Sequence, residues 1–380
     1  MITNGLVDLK TYTIYYNLIY GIIAYLVVLL AVYIEVEGNS IIRNSILVNK
    51  LSKFSTLLLL LALFLIVGFR NFDVGTDTEN YYYLLWQQKP EITFNNEFLF
   101  PLIATYLQYY DLNYTYFLIL ISALFFYFIF KSLKNYSSLY QANLLMALFS
   151  FMSFFFFSSM SINVIRQGVS LAILLYTFTL LLRKDNKVKI LTYSIAALAF
   201  HLTSIIPILL IVSAYYISSK SGKLIYFLVS LYFLVVLLAY FNIGFLDISP
   251  YLTQLLGNDG RSSYINGETY DFTVGFKPQF VAFNTFFLLI ALYIRKNITK
   301  IELKAQYNVI LIYYIIASWL LFLAFQLPFS DRWGLFSWIF IPFLIIPLFY
   351  SPYLKTKNKI RIHYIFMFIL IYIGFKLYAS

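Results

Sequence analysis

No cysteine occurs among the 380 residues, which rules out disulfides, thiolate catalysis and cysteine-bound metals. Histidine occurs twice, at His201 and His363, too few for a histidine-rich zinc site. Charge is also scarce. Asp, Glu, Lys and Arg make up 11% of the chain against 62% hydrophobic residues, more apolar surface than one soluble core could hide. No Gly-rich phosphate loop is present, so nothing points to a nucleotide donor. The formal charge of +11 comes from lysines scattered between apolar runs and not from a basic face, so nucleic acid is not an expected partner. No basic n-region precedes the first apolar run, which reads as a retained helix.

What the chain does contain is long apolar stretches. Candidate spans fall at 14–34, 54–69, 115–131, 143–158, 164–182, 224–241, 279–294, 307–325, 334–350 and 364–378. The expected fold is therefore an all-α, polytopic transmembrane helical bundle, one domain over 1–380, with outer loops at about 70–114 and 242–278. Threaded by the positive-inside rule, most of the 27 Lys and Arg lie inside and most of the 16 Asp and Glu outside. Arg70, Arg166, Arg261 and Arg332 depart from this pattern, lying at the outer level or just beneath it. A guanidinium is a planar fork that fits phosphate, so these four point to an outward-facing site for an anionic group.

Two apolar segments do not read as simple spans. Residues 97–110 carry Leu99, Leu102, Ile103, Tyr106, Leu107 and Tyr110 at helical spacing, with Glu97, Thr105 and Gln108 elsewhere on the helix; they read as an interfacial or re-entrant outer helix. Residues 190–217 are too long for one relaxed span and too short for two. Lys-rich flanks on both sides predict a re-entrant hairpin that enters from inside and turns near His201, with a single long tilted helix as the alternative.

Four constellations carry candidate chemistry. From Arg70 to Tyr81 an apolar helix ends at a cation, and Asp73, Asp77 and Glu79 follow. Gly75 permits a tight turn there, and Asp77 reads as the N-cap of a helix beginning at Thr78. One of these carboxylates could serve as base on a sugar hydroxyl while Arg70 holds phosphate, although capping and interfacial snorkelling would use the same residues. Asn163, Arg166, Gln167 and Ser170 fall at i, i+3, i+4 and i+7, a polar stripe on one helix. An arginine inside a span costs at least ~2.5 kcal/mol at the helix centre and faces a partner or a wet cavity. His201, one turn before Ser204, suits a structural or a catalytic role equally. Asp331-Arg332 places a further arginine at the outer level. The 242–278 loop mixes Asp247, Asp259, Arg261, Glu268, Asp271 and Lys277 with Tyr251, Tyr264 and Tyr270, a composition that suits a glycan but also any solvated loop.

Taken in order, Arg70 to Tyr81, Ile165-Arg166-Gln167-Gly168, Phe200-His201-Leu202-Thr203-Ser204 and Asp331-Arg332 resemble the EpsG family of polysaccharide polymerases, close to the Wzy O-antigen polymerases. The resemblance implies a GT-C-like enzyme of the bacterial cytoplasmic membrane whose site faces the periplasm or exterior. It would join undecaprenyl-pyrophosphate-linked oligosaccharide repeat units, with membrane lipids and a chain-length regulator as further partners; no cofactor is expected and the scheme requires no metal, though Asp77 with Glu79 could hold one. In an inverting transfer of that kind, Arg70, Arg166, Arg261 and Arg332 would hold the departing pyrophosphate. Asp77, Glu79 or His201 would deprotonate the acceptor, and Asn163, Gln167 and Tyr81 would bind glycan. Two rivals remain from other classes. A lipid-linked oligosaccharide flippase would use the arginines as a path, but the related halves expected of such a transporter are not visible. A membrane acyltransferase or ligase would put the chemistry on His201.

Overall fold

An apolar run in a membrane satisfies its backbone polar groups by coiling, and every such run among the described residues is helical. The computed structural model describes residues 5–36, 46–88, 97–218, 224–248, 274–355 and 361–379. They fall into two compact units, Met1–Ile208 with Ile346–Ser380, and Leu209–Ile345.

The first unit holds α1 (Leu9–Val36), α2 (Ile46–Gly68), α3 (Thr78–Tyr81) continuing into a π-helical turn (Tyr82–Gln87), and α4 (Leu99–Tyr109). It continues through α5 (Tyr114–Tyr140), α6 (Leu144–Met152), α7 (Phe155–Ile162), α8 (Ile165–Leu182), α9 (Lys187–Phe200) and a 3-10 turn (Leu202–Ser204). α10 (Ile205–Ser218) leads into the second unit, which contains α11 (Leu224–Tyr240), α12 (Phe245–Ile248), α13 (Pro278–Asn297), α14 (Ile301–Leu323), α15 (Ser330–Trp338) and α16 (Ile341–Ile345). The chain then returns to the first unit with α17 (Ile362–Ala379).

Among the described residues, seven helices are long and apolar enough to cross a membrane: α1, α2, α5, α8, α13, α14 and the run Ser330–Leu348. The protein is an all-α polytopic membrane protein. Expected spans at 224–241 and 364–378 are helical as α11 and α17, with shorter apolar lengths. The expected span at 143–158 is not one helix, because α6 and α7 meet at an angle of 80°. The break falls at Ser153 and Phe154. Ser153 Oγ returns its hydrogen bond to the Phe149 carbonyl at 2.8 Å and meets Tyr20 Oη at 3.0 Å, while Phe154 is extended. α4 has 11 residues, about 16 Å of helix, too short to cross ~30 Å of hydrocarbon. The 190–217 segment is interrupted at His201 (φ −157°, ψ 117°), so the single-helix alternative is excluded.

In the first unit most lysines gather at one end of the helices, with Lys10 at the start of α1 an exception. Lys50 and Lys53 begin α2, Lys131 and Lys134 lie late in α5, and Arg183, Lys184, Lys187 and Lys189 join α8 to α9. At the opposite end lie Asp8, Arg70, Asp73, Asp77, Arg166 and His201, linked by the contacts described next. α8 packs against α5 and α9 and is buried nearly all round; only Arg166, Tyr176 and Leu181 are partly accessible.

Candidate functional site

The site is assembled on the break between α7 and α8. Gly168 lets α7 and α8 approach closely, since a Cβ there would lie 2.2 Å from the Met160 carbonyl oxygen. Asn163 lies in this break, before α8 begins, so it is not part of the predicted stripe on one helix. Its side-chain oxygen instead accepts the Thr76 amide at 2.9 Å. Gly75 makes that contact possible. It has φ +87°, and a Cβ on it would sit 2.5 Å from the Ile162 carbonyl oxygen. Thr78 Oγ1 donates to Val74 O at 2.7 Å and lies 3.3 Å from Ile162 O, and Tyr114 Oη donates to Thr78 O at 2.9 Å. The Arg70–Tyr81 segment is therefore fastened to the helix break that precedes Arg166.

Within this segment the charged residues separate by role. Asp73 Oδ2 accepts the Leu9 amide at 3.0 Å and so caps α1. Asp77 holds the N-cap position of α3 as predicted, yet its side chain makes no capping bond; it is half-buried, and Glu79 is exposed. Arg70 is 1% exposed, not set in an open pocket as its predicted role in holding phosphate requires. Its Nη1 donates to the Val67 carbonyl at 2.7 Å, closing the last turn of α2, and its Nε donates to Thr78 Oγ1 at 3.1 Å. Among the described residues no carboxylate pairs with it, and burial draws its pKa below the ordinary guanidinium value.

Arg166, the second residue of α8, is a half-buried cation, with 41% of its side chain accessible. Its Nη1 lies 2.8 Å from Glu97 Oε2, and the guanidinium sits 5.6 Å from the Tyr81 ring and 5.9 Å from the Phe100 ring. The other oxygen of Glu97, Oε1, lies 2.7 Å from His201 Nδ1 and accepts the Leu202 amide at 3.0 Å. The Nδ1 approach is close, with the ring turned off the ideal hydrogen-bond line. Burial alone would raise the pKa of Glu97. The contact with His201, the Arg166 charge and the Leu202 amide outweigh it and bring the carboxyl down to about 2.

His201 and its turn are pinned to α8. Ser170 Oγ donates to Ala197 O at 2.8 Å and touches the Ser204 hydroxyl, and the Ser204 amide donates to His201 O at 3.0 Å. Gln167 is buried. Arg166 and His201 thus meet at Glu97, with Tyr81 against Arg166, whereas in the sequence Glu97 reads only as a polar member of an interfacial helix. Nothing in its local sequence marks it, because it meets its partners only in the folded chain. Arg332 belongs to the second unit, in the first turn of α15, 4.8 Å from the Phe329 ring. Beside it Lys277 Nζ lies 2.8 Å from Ser330 Oγ. Arg261 lies outside the described residues.

The EpsG family model matches residues 53–380, a stretch that contains every residue of this site. The chain belongs to the EpsG family. EpsG proteins are of the exopolysaccharide and O-antigen polymerase type, which gives this membrane protein a polysaccharide-polymerase-type role. No curated protein and no solved structure matches the chain. In EpsG terms, the segments that carry the resemblance at Arg70–Tyr81, Ile165–Gly168 and Phe200–Ser204 are those that meet in the first unit.

Proposed function

We propose that this EpsG protein joins undecaprenyl-pyrophosphate-linked glycan repeat units on the outer side of the bacterial cytoplasmic membrane by inverting glycosyl transfer. The observation that carries the reading is the convergence of a half-buried guanidinium, Arg166, and an imidazole, His201, on one carboxylate at the end of the helices opposite Lys50, Lys53, Lys131, Lys134 and the 183–189 turn. By the positive-inside rule that end is the outer one. A hydroxyl of the acceptor repeat attacks the anomeric carbon of the donor, and the bond from that carbon to the phosphate oxygen breaks. The electron pair leaves on the pyrophosphate, and the hydroxyl proton passes to a base drawn from His201, Asp77 and Glu79.

Negative charge grows on the leaving group, where a fixed cation in a low-dielectric setting helps most. Arg166 takes that role by contact, and Arg70 adds charge from beneath. Arg332 and Arg261 are assigned to the same anionic groups on sequence grounds. Tyr81, beside Arg166, offers a ring face to a sugar, and Asn163 and Gln167 are assigned to the glycan on sequence grounds. This scheme requires no nucleotide or metal; full activity of the purified protein after EDTA treatment would exclude a metal held by Asp77 and Glu79. The test is to incubate purified protein with a synthetic lipid-linked repeat unit and resolve the products by length. A ladder of multiples supports polymerisation; substrate that stays monomeric, even when it crosses vesicle membranes, supports a flippase instead.

A further inference from the structure

We propose that Glu97 is the positioning residue that makes His201 the base of the transfer. The inference rests on the polymerase reading and deepens it by choosing among three candidate bases. Glu97 spans two segments with one carboxylate, Oε1 on the His201 ring and the Leu202 amide, Oε2 on Arg166. Among the described residues neither Asp77 nor Glu79 forms an ion pair with either partner. Glu97 itself, with its carboxyl brought down to about 2, is too weak a base to take the proton of a sugar hydroxyl.

Its chemistry is orientation. A carboxylate beside Nδ1 stabilises the tautomer with hydrogen on that nitrogen, which leaves the lone pair of Nε2 for the acceptor. Among the described residues nothing hydrogen-bonds to Nε2. The backbone around the ring is fixed as well, by His201 N donating to Ala197 O at 3.0 Å and by the Leu202 amide on Glu97. In the transfer, Nε2 takes the hydroxyl proton as the oxygen bonds to the anomeric carbon. The imidazolium so formed faces Glu97, and the pyrophosphate departing with the electron pair faces Arg166. One carboxylate thus sets the base and the leaving-group cation at a fixed spacing.

The chain has two histidines, so ¹⁵N-histidine labelling gives two ring signals, and His363→Gln assigns them. The wild-type His201 ring, observed neutral, is expected to carry its hydrogen on Nδ1. Glu97→Gln preserves an acceptor for the Leu202 amide, and its amide group can donate to Nδ1, so the ring should revert to the Nε2–H form. In the same variant kcat should fall on the order of 10²-fold with KM for the lipid-linked repeat little changed. Glu97→Asp, which keeps the charge, should recover part of both signatures. An Nε2–H ring in the wild type, or a Glu97→Gln protein with unchanged tautomer and unchanged kcat, overturns the proposal. A wild-type protein that makes no ladder refutes the polymerase reading first, and the inference with it.

Discussion

Replacing Arg166 by Ala separates catalysis from folding, because the two costs differ in size. Arg166 is two-fifths exposed while its partner Glu97 is 14% exposed, so the pair at 2.8 Å contributes to stability at the level of a surface ion pair, about 0.5–1 kcal/mol. The Tyr81 and Phe100 faces at 5.6 and 5.9 Å add about 0.5 kcal/mol each. The folded state therefore loses on the order of 1–2 kcal/mol, within what a bundle of this size tolerates. The transition state loses more. A preorganised donor aimed at developing negative charge is worth about 2.7–4 kcal/mol, or 10²–10³ in rate. Arg166→Ala should accordingly insert in the membrane and purify as a monodisperse protein, yet produce single repeats in cells that depend on it for polymer. Arg166→Lys keeps a charge but loses the fork that serves Glu97 and a phosphate together, so it should recover stability more than rate. The assay is product length on a gel beside single-turnover transfer with purified protein. Long chains formed at the wild-type rate by Arg166→Ala would refute the leaving-group role.

Three further outcomes follow from the geometry. Gly75→Ala forces a Cβ to 2.5 Å from the Ile162 carbonyl at a left-handed φ, so thermal unfolding in detergent should show a loss of about 1–3 kcal/mol, and an unchanged midpoint would mean that the segment is not docked on the helix break. Asp73→Asn weakens only the cap of α1, so it should cost at most about 1 kcal/mol and leave polymer length as in the wild type; loss of polymer would give Asp73 a role in the chemistry. Glu97 has a folded pKa of about 2, below its ordinary value of 4.5, so the stability it contributes is full above pH 4.5 and is lost as pH falls towards 2. Wild type and Glu97→Gln should thus converge in unfolding midpoint between those values, and a constant gap would refute the charge contribution.

The helical runs were legible because apolar length is a direct reading of a hydrocarbon slab, and the break at His201 because polar residues interrupt an otherwise apolar run. The 80° bend at Ser153 was not legible. It lies inside a Phe-rich stretch that keeps the same hydropathy whether straight or bent, and the hydroxyl-to-carbonyl bond that Ser153 makes to Phe149 also occurs, at Ser132 and Thr177, in helices that run on. Asn163 was assigned to a helix face because its spacing from Arg166 is helical, while the backbone breaks between them. Arg70 was legible as an unusual cation but not as a buried one, since burial depends on Tyr114, Thr78 and α1 arriving from elsewhere. Glu97 was hidden for the same reason. Its partners Arg166 and Leu202 lie 69 and 105 positions away, beyond any local period.

Because one carboxylate serves Arg166, His201 and Leu202 at once, substitutions at 97, 166 and 201 should not act independently. Once one member is gone, losing a second should do less harm than the product of the separate defects. Across divergent relatives the three positions should then drift as a block, so that a change at one is accepted only on a background already altered at another.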